Sequence, residues 1–271
     1  MKIIPHLLLI FFLLIAYRAF PQQDTSFYLA KEIYADVSDF SVDNLGNIYL
    51  LNSGNQLKKL NQNGDSLAVY NDVRKYGKVY SMDVTNPLKI LLFYKEFGTI
   101  VMLDRFLNVI NKIDLRALNI FQVKAIGLAY DNNVWIYDEL EAKLKRIADD
   151  GSLVNETTDI RQFVDLVPDP TFLADRTGLV YMYDTAKGVY IFDYYGAFQR
   201  HIDLLGWQDF NIIEKNLLGR DAHYFLRYTP GNPEIQRQLI PGDYLPASKI
   251  IITPSAIYVL KEKGLEIYSH R

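Results

Sequence analysis

Short hydrophobic runs separated by turn residues alternate along the chain. Asp43 opens a turn that leads into the apolar run 48–51, and a second turn at 52–55 leads into the alternating run 56–60. The Asn-Gln-Asn-Gly turn at 61–64 then leads into a further run that ends at Tyr70. Short runs bounded by Asn, Asp, Ser and Gly are typical of β-strands joined in hairpins. This part of the chain therefore predicts successive antiparallel strands.

The same order of turns and strands recurs at intervals of about 42 residues. Segment 175–181 repeats the Asp-to-Tyr spacing of 43–49, and 131–135 is a tighter copy. Weaker copies lie near residues 89, 223 and 256. Four short strands in about 40–50 residues are the period of a propeller blade. Six such units predict an all-β, six-bladed β-propeller, with a β-sandwich or two small β domains as the alternative that strand spacing leaves open.

The first and last copies indicate how such a ring closes. The last copy contains three predicted strands, and Phe27–Tyr34 precedes the first copy without a partner of its own. An open ring would expose two sheet edges, so we expect this N-terminal strand to pair with the C-terminal blade at 264–269. The fifth copy departs most from the pattern because three prolines crowd it. Proline cannot donate to a strand ladder, so the outer edge of that blade should be short or open, and its fourth strand is hard to place.

The N-terminus has the features of a targeting segment. Lys2 supplies a positive charge, and residues 7–17 form an apolar run of eleven residues, too short to span a bilayer comfortably. We expect a signal peptide over 1–21 and a single propeller domain over 22–271, with a retained N-terminal anchor as the alternative. No later apolar run approaches transmembrane length. The sequence thus predicts export to the periplasm and no membrane insertion of the mature chain.

Composition removes several classes of function. The chain has 29 Lys and Arg against 32 Asp and Glu, a net charge of -3, which argues against a nucleic-acid binder. It has no cysteine, which excludes disulfides, thiolate metal sites, thiol catalysis and a lipid-bearing cysteine. With 49% hydrophobic and 23% charged residues the chain can bury a core. We therefore expect a folded, exported protein.

Few residues form a catalytic or metal-binding pattern. His201, His223 and His270 are far apart in the predicted ring, and no phosphate loop or nucleophile elbow stands between a strand and a helix. The acidic loop 138–141 is open to two interpretations, a solvated turn or a weak divalent site. The sequence predicts no enzyme, no metal and no cofactor.

Acidic residues also recur where the innermost strands end. Five of them occupy equivalent positions and could ring a cation at the channel mouth: Asp43, Asp83, Asp131, Asp175 and Glu214. The alternative is that they open the turns after these strands, because Asp side chains accept hydrogen bonds from their own backbone there.

Large aromatic residues occur in the segments that connect one blade to the next. They are Tyr76, Phe121, Trp207, Phe210 and Tyr244. Aromatic side chains in exposed loops are favoured at protein interfaces. We expect these five to form a partner-binding face; the alternative is that they fold back over the channel or the grooves between blades.

The Asp-x-x-Gly-Asn-Ile-Tyr segment at 43–49, with its looser copy at 175–181, resembles the repeats of six-bladed NHL-like propellers. A small exported propeller without a catalytic constellation is also similar to envelope proteins of bacteria with type IX secretion, among them the plug subunit of the outer-membrane translocon. That resemblance implies a non-catalytic envelope protein whose partner is an outer-membrane β-barrel and whose role is to plug the periplasmic end of its pore. A periplasmic carbohydrate- or peptide-binding propeller, or a hydrolase acting at the channel mouth, remains the alternative.

Overall fold

Six four-stranded antiparallel sheets make up the chain in its computed structural model, which describes residues 27–71, 73–164 and 166–270. The predicted signal peptide 1–21 lies outside the described residues. Helical structure in the described ranges is confined to α1 (Val73–Tyr76) and to two 3-10 turns, Ile160–Gln162 and Gly242–Tyr244. No helix in these ranges has the length and apolar character needed to cross a membrane.

In each blade the four strands lie side by side from the innermost to the outermost in the following order. Blade 1 contains β2 (Asp39–Val42), β3 (Ile48–Leu51), β4 (Leu57–Leu60) and β5 (Ser66–Tyr70). Blade 2 contains β6 (Ser81–Asn86), β7 (Lys89–Tyr94), β8 (Thr99–Leu103) and β9 (Val109–Asp114). Blade 3 contains β10 (Val123–Leu128), β11 (Val134–Asp138), β12 (Lys143–Ile147) and β13 (Leu153–Glu156). Blade 4 contains β14 (Phe172–Arg176), β15 (Leu179–Asp184), β16 (Gly188–Asp193) and β17 (Phe198–Ile202). Blade 5 contains β18 (Gln208–Ile213), β19 (Asn216–Arg220), β20 (Tyr224–Tyr228) and β21 (Gln236–Leu239). Blade 6 contains β22 (Lys249–Ile252), β23 (Ala256–Lys261), β24 (Gly264–His270) and β1 (Phe27–Tyr34).

The prediction of an all-β, six-bladed propeller is confirmed. The strand that precedes the first blade lies in the last one, where β1 pairs antiparallel with β24 from Phe27 opposite His270 to Tyr34 opposite Gly264. Gly264 permits the close approach of the two strands: a Cβ added there would lie 2.1 Å from the Ile33 carbonyl oxygen. Blade 6 is therefore built from both ends of the described chain.

Blade 5 corrects the sequence analysis. The repeat spacing predicts the second strand of this blade at 223–228, and the prolines after it make a fourth strand hard to place. The second strand is β19, and Leu218 on it occupies the ladder position of Tyr181 in blade 4. Tyr224 starts the third strand, and β21 is the fourth, four residues long. The repeat was missed because Asn216–Arg220 lacks the Asp-Gly turn signature of the other copies.

The core consists of apolar layers between neighbouring blades. Strand residues alternate between the two faces of each sheet, so every blade contributes one side to each of two layers. Five of the layers contain nine to thirteen buried residues in the described chain. The layer between blades 5 and 6 contains six, around Tyr244, Val259 and Tyr268. The ring is thus least filled at that boundary.

Candidate functional site: the connector face

The two ends of the propeller carry different loops because the four strands of each blade alternate in direction. One end carries the segments that lead from one blade to the next, such as 115–122, 166–171 and 203–207, together with the loops between second and third strands, such as 95–98 and 139–142. We call this end the connector face. The other end carries the first and last hairpin turns of each blade, and we call it the hairpin face.

Large apolar side chains are exposed on the connector face. They come from the loops of blades 2 and 3 and from the connectors between blades 2 and 5: Phe97, Phe121, Leu140, Leu166, Val167 and Leu205. Phe121 is 58% exposed and Leu166 is 62% exposed. Large apolar side chains grouped on one face mark interaction sites more often than scattered ones do.

Hydrogen bonds between the loops join these residues into one surface. Leu115 donates its backbone N–H to the Gly98 carbonyl over 2.8 Å, and Glu139 donates to the Gln122 carbonyl over 2.8 Å. Farther round the ring, the Lys187 ammonium donates to the Val167 carbonyl over 2.6 Å. Each bond ties a connector to a neighbouring loop. The apolar residues are therefore held on a continuous arc of ordered backbone.

Lys124 forms the main electrostatic link within this arc. Its ammonium lies 3.2 Å from a Glu139 carboxylate oxygen and 2.9 Å from an Asp169 carboxylate oxygen. The hydrogen bond to Asp169 and the second carboxylate beyond it raise the pKa of Lys124 above its ordinary value, against the opposing effect of burial. The lysine stays charged and holds the loop of blade 3 against the connector to blade 4.

The acidic loop 138–141 is neutralised by lysines. Asp138 is buried and accepts a 2.7 Å hydrogen bond from Lys145, which also lies 3.0 Å from Glu141. Burial opposes the charge of Lys145, but the hydrogen bonds that its ammonium donates to both carboxylates raise its pKa overall. With Glu139 paired to Lys124, the three acids balance nearby cations. This pairing fits a structural loop and not a divalent site.

The five aromatic residues predicted for this face have different environments. Phe121 is exposed. Tyr76, on α1, is half-buried and packs against Tyr94 with ring centroids 5.3 Å apart. Trp207, Phe210 and Tyr244 are buried, with 4%, 8% and 4% of their surface exposed. The expectation that these three lie exposed on loops is wrong, because they fill the grooves between blades 4, 5 and 6.

Trp207 shows the cause of the error. Its backbone N–H donates to the Tyr183 hydroxyl over 2.8 Å, and its carbonyl accepts from that hydroxyl over 2.9 Å. The indole lies over Gly219, where an added Cβ would come within 2.8 Å of Cε3. The connector is drawn inward by these contacts. Phe210 is not in a connector at all, since it lies within β18.

On the hairpin face, the repeated acids mainly serve the backbone. Asp43 accepts from the N–H groups of Leu45 and Asn47 over 2.9 and 2.8 Å, which forms the turn after β2. Asp83 accepts from the Leu128 N–H over 2.7 Å and so links blades 2 and 3. Among the described residues no cluster of three or more His, Cys, Asp or Glu side chains could hold a metal ion.

Asp175 departs from this pattern. One of its carboxylate oxygens accepts from the Tyr130 N–H and the Trp135 indole, each over 3.3 Å. The other is buried and has no hydrogen-bond partner in the described chain. Burial raises the pKa of Asp175 above its ordinary value, although the two donors oppose this effect. Its neighbour Arg176 reaches from blade 4 to the Thr85 hydroxyl of blade 2, 2.8 Å away.

A tyrosine cluster lies beside these residues on the hairpin face. Tyr130 and Tyr195 are exposed and flank Tyr194, with ring centroids 4.4 and 5.5 Å from it. The Tyr194 hydroxyl donates to Asp131 over 2.7 Å, and the Arg146 guanidinium lies 4.0 Å from the centre of its ring. The cluster offers flat aromatic surface next to polar groups.

No family model matches the chain, and no curated protein sequence does. Solved structures share its fold. A catalytically inactive variant of virginiamycin B lyase from Staphylococcus aureus, solved with quinupristin, superposes with a TM-score of 0.60 at 14% identity, over 90% of this chain and 89% of that one. BBS1N in complex with ARL6DN gives a TM-score of 0.59 at 9% identity, over 91% and 97% of the two chains. The Cps50 (Swd1) propeller of Myceliophteria thermophila gives 0.60 at 8% identity, over 91% and 100%.

At these identities the likeness shows the fold alone. The structures include an enzyme and a propeller in complex with another protein, and one fold can carry either kind of function. The function of this chain therefore has to be inferred from its own surfaces.

Among the six exposed connector-face residues the sequence predicts only Phe121, because the aromatic pattern that indicates this face passes over aliphatic residues. Leu140, Leu166, Val167 and Leu205 are aliphatic, and Phe97 lies in a loop within a blade. A signal was nevertheless present: each is an apolar residue in a segment between predicted strands, where a solvated loop needs none.

Proposed function

We propose that this chain is a non-catalytic propeller of the cell envelope that binds another protein through its connector face. The observation that carries the proposal is the arc of six exposed apolar residues on loops joined by hydrogen bonds. Such a surface is preorganised, so binding costs little ordering of the loops. A propeller of the same fold in complex with a protein partner, BBS1N with ARL6DN, supports this class of function.

The proposal also specifies a cellular location and a partner. The charged N-terminus and the apolar run at 7–17 support export to the periplasm. The resemblance to envelope propellers of type IX secretion supports an outer-membrane β-barrel translocon as the partner, with the propeller plugging the periplasmic end of its pore. A ring with a group of exposed apolar residues on its connector face suits that role, since it can seat on the rim of a barrel without entering the membrane.

The test is retention of the barrel by tagged protein in detergent-solubilised envelopes. Phe121→Glu combined with Leu166→Glu places two charges in the centre of the arc. Buried apolar anchors typically contribute more than about 2 kcal/mol each, so we expect the affinity for the purified barrel to fall at least about tenfold. The control is Tyr195→Glu, which places a charge at an exposed aromatic position on the hairpin face.

Equal retention of the barrel by all three proteins would refute the connector face as the binding surface. Recovery of the native protein from the cytoplasm with Met1 intact would refute the proposed location.

Carbohydrate binding is the second candidate, favoured by the exposed Tyr130 and Tyr195 beside the polar groups of Asp131 and Arg146. The same variants separate the two functions. A saccharide ligand would be lost in Tyr195→Glu and kept in the double connector-face variant.

A further inference from the structure

A deep groove separates the outer parts of blades 5 and 6. Its volume is about 1010 Å³, at the upper end of the range of about 300–1000 Å³ that pockets for small ligands usually have. Leu218 and Phe225 line its blade 5 wall, and Leu29, Ile257 and Tyr268 line its blade 6 wall. The size and the apolar walls suit a polypeptide segment better than a small polar molecule.

Polar contacts at the inner end fix the two walls of this groove. Asp209 of β18 accepts a 2.8 Å hydrogen bond from the Ile250 N–H of β22, and it also pairs with the Arg220 guanidinium. These residues tie the innermost strands of blades 5 and 6 together. The groove is therefore open toward the outer strands and anchored near the axis, and an occupant would not have to force the blades apart.

The outermost strand of blade 5 forms one rim of the groove. All four residues of β21 are exposed, which holds for none of the other five outermost strands in the described chain. β21 pairs with β20 alone, so its other edge has unpaired backbone groups. An exposed strand edge beside an apolar groove is the arrangement to which extended peptides bind by adding a strand.

Charge on this rim specifies the occupant. Arg227 lies on β20 and Arg237 on β21, and within the described chain neither guanidinium forms an ion pair with a carboxylate, although Arg237 is near enough to Asp221 to lower its pKa. Gln236 and Gln238 share the groove face with Phe225 and Arg227, whereas Arg237 shares the opposite face with Leu226 and borders the groove at its rim. A strand added to β21 would therefore place apolar side chains over the groove and every second residue beside Arg237.

We infer that blade 5 binds an extended partner segment with alternating apolar and acidic residues, which adds to β21 as a fifth strand. Its apolar side chains fill the groove against Leu29 and Tyr268, and its carboxylates pair with Arg237 on the other face of the sheet. This site is distinct from the connector face and does not depend on the function proposed for that face.

The test uses the fluorescein-labelled peptide Val-Glu-Val-Glu-Val-Glu-Val and the full-length protein. We expect saturable binding by fluorescence anisotropy. Arg237→Glu should weaken binding about fivefold or more, because an opposite-charge pair across strands becomes a like-charge pair. Leu29→Glu should weaken it similarly by placing a charge in the apolar wall. Arg200→Glu, on the outermost strand of blade 4, is the matched control and should leave binding unchanged.

Peptide variants and hydrogen exchange separate strand addition from other modes. Replacing each Glu by Lys should abolish binding through charge, and replacing alternate residues by Pro should abolish it by removing backbone donors. The backbone N–H groups of Gln236–Leu239 should exchange more slowly when the Glu peptide is bound.

Three results would overturn the inference. Equal weakening by Arg200→Glu would show unspecific charge attraction. Slow exchange at 236–239 without peptide, at every protein concentration, would show that the edge is already protected within the single chain. Slow exchange that increases with protein concentration would show that a second copy covers the edge.

Discussion

Trp207→Ala should destabilise the protein and leave the connector face intact. The indole is 96% removed from solvent, packed over Gly219 and beside Phe210, whose ring centre lies 6.4 Å away. Replacing a buried tryptophan by alanine costs about 3–5 kcal/mol. For a domain of this size each kcal/mol corresponds to about 2–4 °C, so the melting temperature should fall by about 6–20 °C.

The measurement is urea unfolding at 25 °C followed by far-UV circular dichroism, with Trp135 remaining as a fluorescent probe. Phe121→Ala is the control and should change the free energy of unfolding by no more than about 0.5 kcal/mol, since its side chain is exposed. A Trp207→Ala protein that melts within about 2 °C of the wild type and loses partner binding would refute the reasoning. That result would place Trp207 on the binding surface.

Gly219 provides an internal check on the same contact. A Cβ at this position would lie 2.8 Å from Trp207 Cε3, so Gly219→Ala should destabilise the protein when the indole is present. In the double variant the new methyl group enters the space that the indole leaves. The combined loss of stability should therefore be smaller than the sum of the two single losses.

Two further predictions concern stability. Gly264→Ala should lower the melting temperature sharply, because its Cβ would lie 2.1 Å from the Ile33 carbonyl oxygen of β1. Gly242→Ala is the control and should not lower it, because a Cβ there has open space. Equal melting temperatures would refute the tight β1–β24 pairing. Burial raises the pKa of Asp175, so the protonated carboxyl contributes stability at low pH and that contribution is lost as pH rises through the pKa. The free energy of unfolding of Asp175→Asn, measured relative to the wild type, should therefore increase between about pH 3.5 and pH 7.5. Asp221→Asn should show the opposite trend, because the His223 N–H lowers the pKa of Asp221; parallel pH profiles would contradict both assignments.

The repeat spacing was sufficient to predict the fold because each blade is a local unit with its own turns. Asp43 and Gly46 define the first turn by short-range hydrogen bonds and a positive φ of 75°, and such effects are visible in the sequence. The spacing failed at Asn216–Arg220. Gly219 in that strand leaves room for the Trp207 indole, and no local sequence pattern reveals a contact between two separate segments.

From the sequence, only the end of the ring that carries the candidate site could be predicted, and not most of its residues. Connectors were correctly expected at one end of the ring, but the burial of Trp207 and Tyr244 depends on how much space remains between two blades. That space is set by residues distant in sequence, such as Tyr183 and Tyr268. The prolines of the fifth repeat predicted a short or open outer edge for this blade. The depth of the groove there depends on the small apolar layer between blades 5 and 6.

That small layer also bears on how the ring opens. A propeller sealed by a strand from its own N-terminus is usually viewed as vulnerable at the seal. Here the seal lies inside blade 6, where β1 and β24 pair from Phe27 to Tyr34 with one irregularity between Leu29 and Lys31. The fewest buried residues instead separate blades 5 and 6, which are joined by an ordinary connector. Local opening starts where the density of buried contacts is lowest, so this propeller should open transiently between blades 5 and 6. Blade 6 should then move as one unit with β1 still paired to β24.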